Sequence, residues 1–527
     1  MLRQPQKSKR VARGEIDAAQ TLIAPIKGWN ARDPEGNMAE GYALFLDNWW
    51  PMPTDVQLRK GASDHVTSIG GGTAPVKSLA VWNARTGVIR HRLFACTDAG
   101  IYDATLPGSA PAIATALTDG KVISVNFGTT GGSYLFCVNG TDSMKMYDGT
   151  SWTTVASFSI VGGGTLNTSD IAHVAVFKRS LFFIKRDTME FYYLPIDSIA
   201  GSVSRFPLGA LAGKGGSLMA MATWTIDGGQ GVDDYAVWAT SEGQLIVYKG
   251  TDPSSSSTWG LQGVYDLATP MGRKCFLKYG GDLLYISRDG AFPLSKALQS
   301  TTMQATIAIT DTISSAFTAS ASVYGSNYGW QGITSYSDQI LIFNVPTTEF
   351  SYSMQFAMNT KTGAWCRLLD WHAFCWEFMD NQLYMGMVGK VAKAWTGTSD
   401  FGSPITCYAK TAFSYLGSRT REKHVRLIRP NFKINGSVAV NVALDMDYRA
   451  GMDYGPAVFN AASGSMWGTA LWGTAVWSSQ GAVKLDWITT ATSEGYCAAV
   501  RLRVSSQGAT VGWSATDLVY ETGAIRG

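Results

Sequence analysis

The chain reads Leu135-Phe136-Cys137-Val138, then Asn139-Gly140-Thr141-Asp142, then, after Ser143, Met144-Lys145-Met146-Tyr147. Four apolar residues bounded by turn formers are too few for a helix and suit a buried strand. Asn-Gly followed by a second short run is a hairpin signal. One such signal is weak, but this one recurs. Leu93-Phe94-Ala95-Cys96-Thr97 passes through Asp98-Ala99-Gly100 into Ile101-Tyr102. Leu181-Phe182-Phe183-Ile184 runs through Arg186-Asp187 into Phe191-Tyr192-Tyr193, and Ala236-Val237-Trp238-Ala239 through Ser241-Glu242-Gly243 into Leu245-Ile246-Val247-Tyr248. Leu283-Leu284-Tyr285-Ile286, Ile340-Leu341-Ile342-Phe343 and Leu383-Tyr384-Met385-Gly386 open three further units.

The units start at residues 93, 135, 181, 236, 283, 340 and 383, so the gaps are 42, 46, 55, 47, 57 and 43 residues. Propeller blades of four strands recur at roughly 40–50 residues. A blade cannot bury both faces alone, so blades stack around an axis. The chain is therefore expected to be all-β: a β-propeller of six to eight blades over residues 71–397, preceded by an N-terminal arm and first strands over 1–70. Hairpins of irregular spacing in a sandwich or solenoid are the competing architecture. The best helical candidate is the short region Ser295 to Ala308.

Gly397 to Pro404 reads as a linker of Gly, Ser and Thr. Beyond it, Val438 to Leu444 is a clear strand, and Val500-Arg501-Leu502-Arg503-Val504 alternates strictly, which predicts one buried and one basic face. A C-terminal β-sandwich over 398–527 fits. It carries an insert in which Trp467, Trp472 and Trp477 recur at a spacing of five, matching neither strand nor helix. These indoles are candidate assembly anchors, each worth on the order of 2 kcal/mol at an interface. A loop pinned within its own domain is the plainer alternative.

Composition supports a folded chain. Of 527 residues, 46% are hydrophobic and 16% charged, where roughly 25% charged is usual, and Gly numbers 57. The net charge of +3 excludes gripping nucleic acid through bulk charge. No stretch approaches the roughly 18 apolar residues of a membrane-spanning helix. The seven Cys lack metal or small-domain spacing and read as buried thiols, and the N-terminus lacks a signal-peptide apolar run, so synthesis and folding in a reducing cytoplasm are expected. Arg3, Lys7, Lys9, Arg10 and Arg13 form a basic opening segment, a candidate contact for DNA or an acidic partner surface.

Chemistry-bearing motifs are scarce. Gly209 to Gly215 misses the phosphate-loop spacing, Asp445 to Arg449 lacks the closing Glu of a calcium loop, and no His pair has metal-ligand spacing. Neither a cofactor nor a metal is expected. The acidic loop Asp227 to Asp234 suits a solvated turn better than a cation site. Asp187, Asp289 and Glu377 are the carboxylates a propeller glycosidase would draw on. Tyr147-Asp148-Gly149-Thr150-Ser151-Trp152 and Asn359 to Trp365 resemble the turns of kelch-type and Asp-box propellers, in which a side chain caps backbone N–H groups beside a packed Trp.

A wider resemblance rests on Ala43-Leu44-Phe45-Leu46-Asp47-Asn48-Trp49-Trp50-Pro51, on Gln57-Leu58-Arg59-Lys60-Gly61, on the 359–365 turn, on 381–391, and on Lys423-His424-Val425-Arg426. The pattern L-x-N-x-x-P…R-x-G resembles the tail nozzle or tail-hub (tail tubular, packaged-DNA-stabilising) proteins of short-tailed bacteriophages. The resemblance implies a non-enzymatic virion tail protein. It would assemble with itself into a ring, typically of six subunits. That ring would contact the head-to-tail adaptor and the tail fibre or tip proteins, retain packaged double-stranded DNA and conduct it during ejection. A lectin or glycosidase acting on surface glycans, and a peptide-binding cytoplasmic scaffold, are the rival readings.

Overall fold

The computed structural model describes residues 18–523, except 85–90, 110, 112, 228–231, 299–307, 461–481 and 485–486. Each apolar quartet is the second strand of a small antiparallel sheet. Blade 1 spans residues 78–116, blade 2 123–155, blade 3 171–207, blade 4 218–266, blade 5 276–293, blade 6 331–368, and blade 7 375–394 with a strand from the N-terminus. Among the described residues, six blades have four strands and blade 5 has three. Their innermost strands touch in cyclic order, from Ser78–Asn83 through Ile123–Thr129, Ile171–Phe177, Leu218–Asp227, Phe276–Tyr279 and Gln331–Ser335 to Cys375–Met379, which touches Ser78–Asn83 again. The molecule is a closed β-propeller.

The quartets are continuous, not alternating, because both faces of each blade are buried. Leu93 and Ala95 pack toward blade 7, while Phe94 and Cys96 pack toward blade 2. Leu181 and Phe183 face blade 2, and Phe182 and Ile184 face blade 4. Ala236 and Trp238 face blade 3, and Val237 and Ala239 face blade 5. One four-residue run thus seals two interfaces, and period 2 decides which residue serves which.

Closure joins the two ends of the ring. Ala62–Thr67 pairs antiparallel with Lys390–Ala394, with Ala62 opposite Ala394 and Val66 opposite Val391. Gly389 is needed beside this seam: its φ is 65°, and a Cβ there would lie 2.1 Å from the Gly72 carbonyl oxygen.

The strands after residue 398 share both their sheets with the N-terminus. A ten-stranded sheet starts as blade 6, passes through Gly28–Trp29 and Tyr42–Asp47, and continues through Ile405–Thr411, Ala498–Ser506 and Ser437–Met446 to Asp453–Asn460. A second sheet combines Thr510–Thr522 and Lys423–Asn435 with Ala18–Ile23, Trp49–Pro51 and Val56–Leu58. Val440, Val442, Val500, Leu502 and Val504 of the first sheet and Val425, Ile428, Phe432, Trp513 and Leu518 of the second share one apolar cluster with blades 5, 6 and 7. Arg501, between buried neighbours, turns outward to Asp445 and Asp453.

Helix is sparse. Of the region Ser295 to Ala308, the described part holds only the end of one turn, Leu294–Ala297. The longer helix is Ser314–Tyr324, which the sequence reading did not single out. It is seated by Phe317, whose ring lies 5.8 Å from Trp330 and 6.0 Å from Phe343.

Candidate functional sites: the axial cavity and the buried joint

The motif residues at 43–61 and 359–371 meet at one place, where blade 6 joins the two C-terminal sheets. Asn48 has φ 59° and is wholly buried. A short amide side chain is among the few that tolerate this left-handed backbone. Its Oδ1 accepts hydrogen bonds from Arg59 Nε and the Leu369 N–H, both at 2.8 Å, and its Nδ2 donates to the Thr406 carbonyl at 2.8 Å. One side chain therefore ties the N-terminal segment, blade 6 and the C-terminal sheet together.

Arg59 completes the joint. Its guanidinium is buried, pairs with Asp400 at 2.9 and 2.6 Å, and donates to the Leu369 carbonyl at 3.0 Å. It lies over the Trp371 ring at 4.3 Å, and the Trp371 indole N–H donates to Asp400 Oδ1 at 2.9 Å. A bidentate, stacked guanidinium suits Arg and not Lys. Gly61 is dictated by space: a Cβ would meet the Ser399 carbonyl oxygen at 1.9 Å. Alongside, Arg367 clasps Asp47 at 2.6 and 2.8 Å, and Asn359 Nδ2 donates to the Pro51 carbonyl at 2.9 Å. Burial pushes the Asp47 carboxyl up, and the Arg367 pair only partly offsets it.

The turn expectations hold at atomic detail. Asp148 Oδ1 accepts from the Thr150 and Ser151 N–H groups at 2.8 and 2.7 Å, while Trp152 packs edge-on to Phe94 at 4.9 Å. Asn359 Oδ1 accepts from the Lys361 N–H at 3.0 Å, and Trp365 is buried.

The propeller axis encloses a cavity of about 610 Å³ lined by all seven inner strands, among them Leu79, Asn126, His173, Thr223, Gln331 and Glu377. Its charge is lopsided. Lys178, Arg273, Lys274 and Lys278 line it, with Glu377 the one lining carboxylate among the described residues. Burial raises Glu377, partly offset by the Phe378 N–H and by Lys274. Burial, with help from Arg273, holds His173 down at about 3, so the imidazole is neutral. The sequence reading did not find this site. The signal was present in Arg273, Lys274 and Lys278, three cations within six residues, of which Lys278 lies in the inner strand Phe276–Tyr279 of blade 5 and Arg273 and Lys274 in the turn before it.

Of the three carboxylates a glycosidase would draw on, only Glu377 lines the cavity. Asp187 and Asp289 are exposed in hairpin turns of blades 3 and 5. Asp445 is engaged by Lys410 and Arg501. All seven cysteines are buried and unpaired. No group of three or more metal-ligating side chains is clustered among the described residues. The basic segment with Arg3, Lys7, Lys9, Arg10 and Arg13, the anchors Trp467, Trp472 and Trp477, and the middle of the Asp227 to Asp234 loop lie outside the described residues.

No protein-family model and no curated protein matches the chain. Solved structures do. The Cps50 (Swd1) β-propeller domain of Myceliophteria thermophila is 11% identical with a TM-score of 0.37, covering 58% of this chain and 93% of that one. BBS1N, solved in complex with ARL6DN, is 13% identical with a TM-score of 0.40, over 64% and 96%. The computationally designed Ika8 protein is 11% identical with a TM-score of 0.33, over 63% and 99%.

Proposed function

We propose that the chain is a structural component of a short-tailed phage tail, a nozzle or hub protein that assembles into a ring around the DNA path. The observation that carries this reading is the joint. The residues behind the sequence resemblance, Asp47, Asn48, Arg59 and Gly61, are spent on fixing the propeller to the C-terminal sheets. A wall that resists the pressure of packaged DNA needs its two bodies held in one orientation, and buried, satisfied polar networks confer such rigidity.

The cavity size supports a path between subunits. A volume of about 610 Å³ is that of a small-molecule site. It cannot thread a duplex whose major groove alone is ~12 Å wide. Self-association has a natural place in the C-terminal sheets. Asp453–Asn460 is the terminal strand of one sheet and Ala482–Lys484 of the other, and the Trp467–Trp477 segment connects them. Exposed Tyr448, Met452, Trp487 and Tyr496 lie in the turns and connections between strands of these sheets. Sheet edges and exposed aromatics are where copies join.

The test is compositional. Purified particles of the source phage, analysed by quantitative mass spectrometry, should contain this chain at a fixed ratio to portal and adaptor subunits. Its absence from particles would end the proposal.

A further inference from the structure

We propose that the axial cavity of the propeller is a binding site for a small multiply charged phosphate anion, of the pyrophosphate or tripolyphosphate class. The proposal is independent of the tail reading and rests on three features of the cavity.

The first is charge. Lys178 of blade 3 and Arg273, Lys274 and Lys278 at blade 5 line the cavity against one carboxylate among the described residues, Glu377, and Asp234 pairs with Lys178 at 2.5 Å while Lys278 also favours its charged form. Arg273 donates to the Met219 carbonyl at 3.2 Å, and Lys274 to Gln331 Oε1 at 3.3 Å. Neither makes an ion pair among the described residues, nor does Lys278. Like charges gathered in a partly desolvated space repel one another and are costly unless an anion joins them.

The second is an orphaned donor or acceptor. His173 is 8% exposed, lines the cavity, and its Nδ1 has no hydrogen-bond partner. A buried polar atom without a partner costs ~1–3 kcal/mol. The third is reach. Gln331 is held by the Trp376 carbonyl, to which its Nε2 donates at 2.8 Å, so its Oε1 orients the Lys274 ammonium on the axial wall. Arg273 offers a planar fork, and the Lys ammonium groups offer point charges, the combination that recognises several phosphate oxygens at once.

Isothermal titration calorimetry on the full chain, with pyrophosphate and tripolyphosphate as probes and sulfate and citrate as comparators, tests it. One site per chain is expected, tighter for tripolyphosphate than for sulfate. Lys274→Met with Lys278→Met should weaken tripolyphosphate binding by about tenfold or more, as loss of charge-assisted bonds does. Lys214→Met, on the outer surface, should leave it unchanged. ³¹P NMR line broadening in parallel reads the bound phosphate directly, and an unchanged circular dichroism spectrum shows that the variants fold. Absence of binding at millimolar tripolyphosphate, equal binding of citrate, or retention of affinity in the double variant would overturn the proposal.

Discussion

At the residue scale the joint depends on side chains that admit few substitutes. Removing one partner from a buried ion pair leaves the other charge stranded, at ~3–5 kcal/mol. Arg59→Met, which strands Asp400, is therefore expected to lower the denaturant midpoint sharply, and Lys390→Met, at the half-exposed Asp64 pair, to leave it nearly unchanged. Gly61→Ala should also destabilise, because the Ser399 backbone has to move to admit a methyl group. Turn carboxylates give a pH signature. Hydrogen bonds from the Ser151 and Thr150 N–H groups hold Asp148 below its ordinary 3.8. Asp517 is pushed up by partial burial but held down on balance by Thr21, Arg429 and Asn431. A depressed carboxyl contributes stability that is full above 3.8 and disappears as pH falls through the folded value. Asp148→Asn and Asp517→Asn should each lower the neutral plateau of a midpoint-versus-pH curve and flatten its acid limb, because the amide lacks the contribution that the carboxylate makes above its folded value.

At the element scale the fold was largely legible. Leu93, Leu135, Leu181, Ala236, Leu283, Ile340 and Leu383 each open or lie within the second strand of a blade, so counting apolar quartets counted blades. They were readable because a strand buried on both faces needs no polar residue for four positions. The cyclic closure was not readable: Ala62–Thr67 looks like any polar hairpin arm, and its partner lies more than 320 residues away. The helix Ser314–Tyr324 was hidden for a different reason. Its Ser, Thr and Ala residues give a faint apolar stripe, and packing on Trp330 and Phe343 supplies what propensity does not. The axial site was missed because only the closed ring brings Lys178 and Glu377 to the cations of residues 273–278. The closing strand makes a clear prediction. Val66→Pro should break the seam at its pairing with Val391, removing hydrogen-exchange protection from residues 390–394 and 62–67 first, with blades 2–4 protected longer. Uniform loss of protection across all blades would contradict this.

At the scale of the whole molecule, a closed propeller and two shared sheets form one continuous β-framework, tied at Asn48 and Arg59 and open at the strands flanking the Trp segment. Replacing Trp467, Trp472 and Trp477 together by Ala should weaken self-association by tenfold or more in sedimentation velocity, with the unfolding midpoint of the monomer unchanged. We propose that identical copies of this framework surround the DNA path instead of passing DNA through the propeller. Cryo-electron microscopy of the assembled chain bound to its adaptor ring tests it most directly. The expected map shows a cyclic ring of propellers around a lumen wide enough for duplex DNA, with the axial cavity of each propeller free of DNA. Isolated monomers on the adaptor, or a DNA path running through the propeller axis, would contradict it.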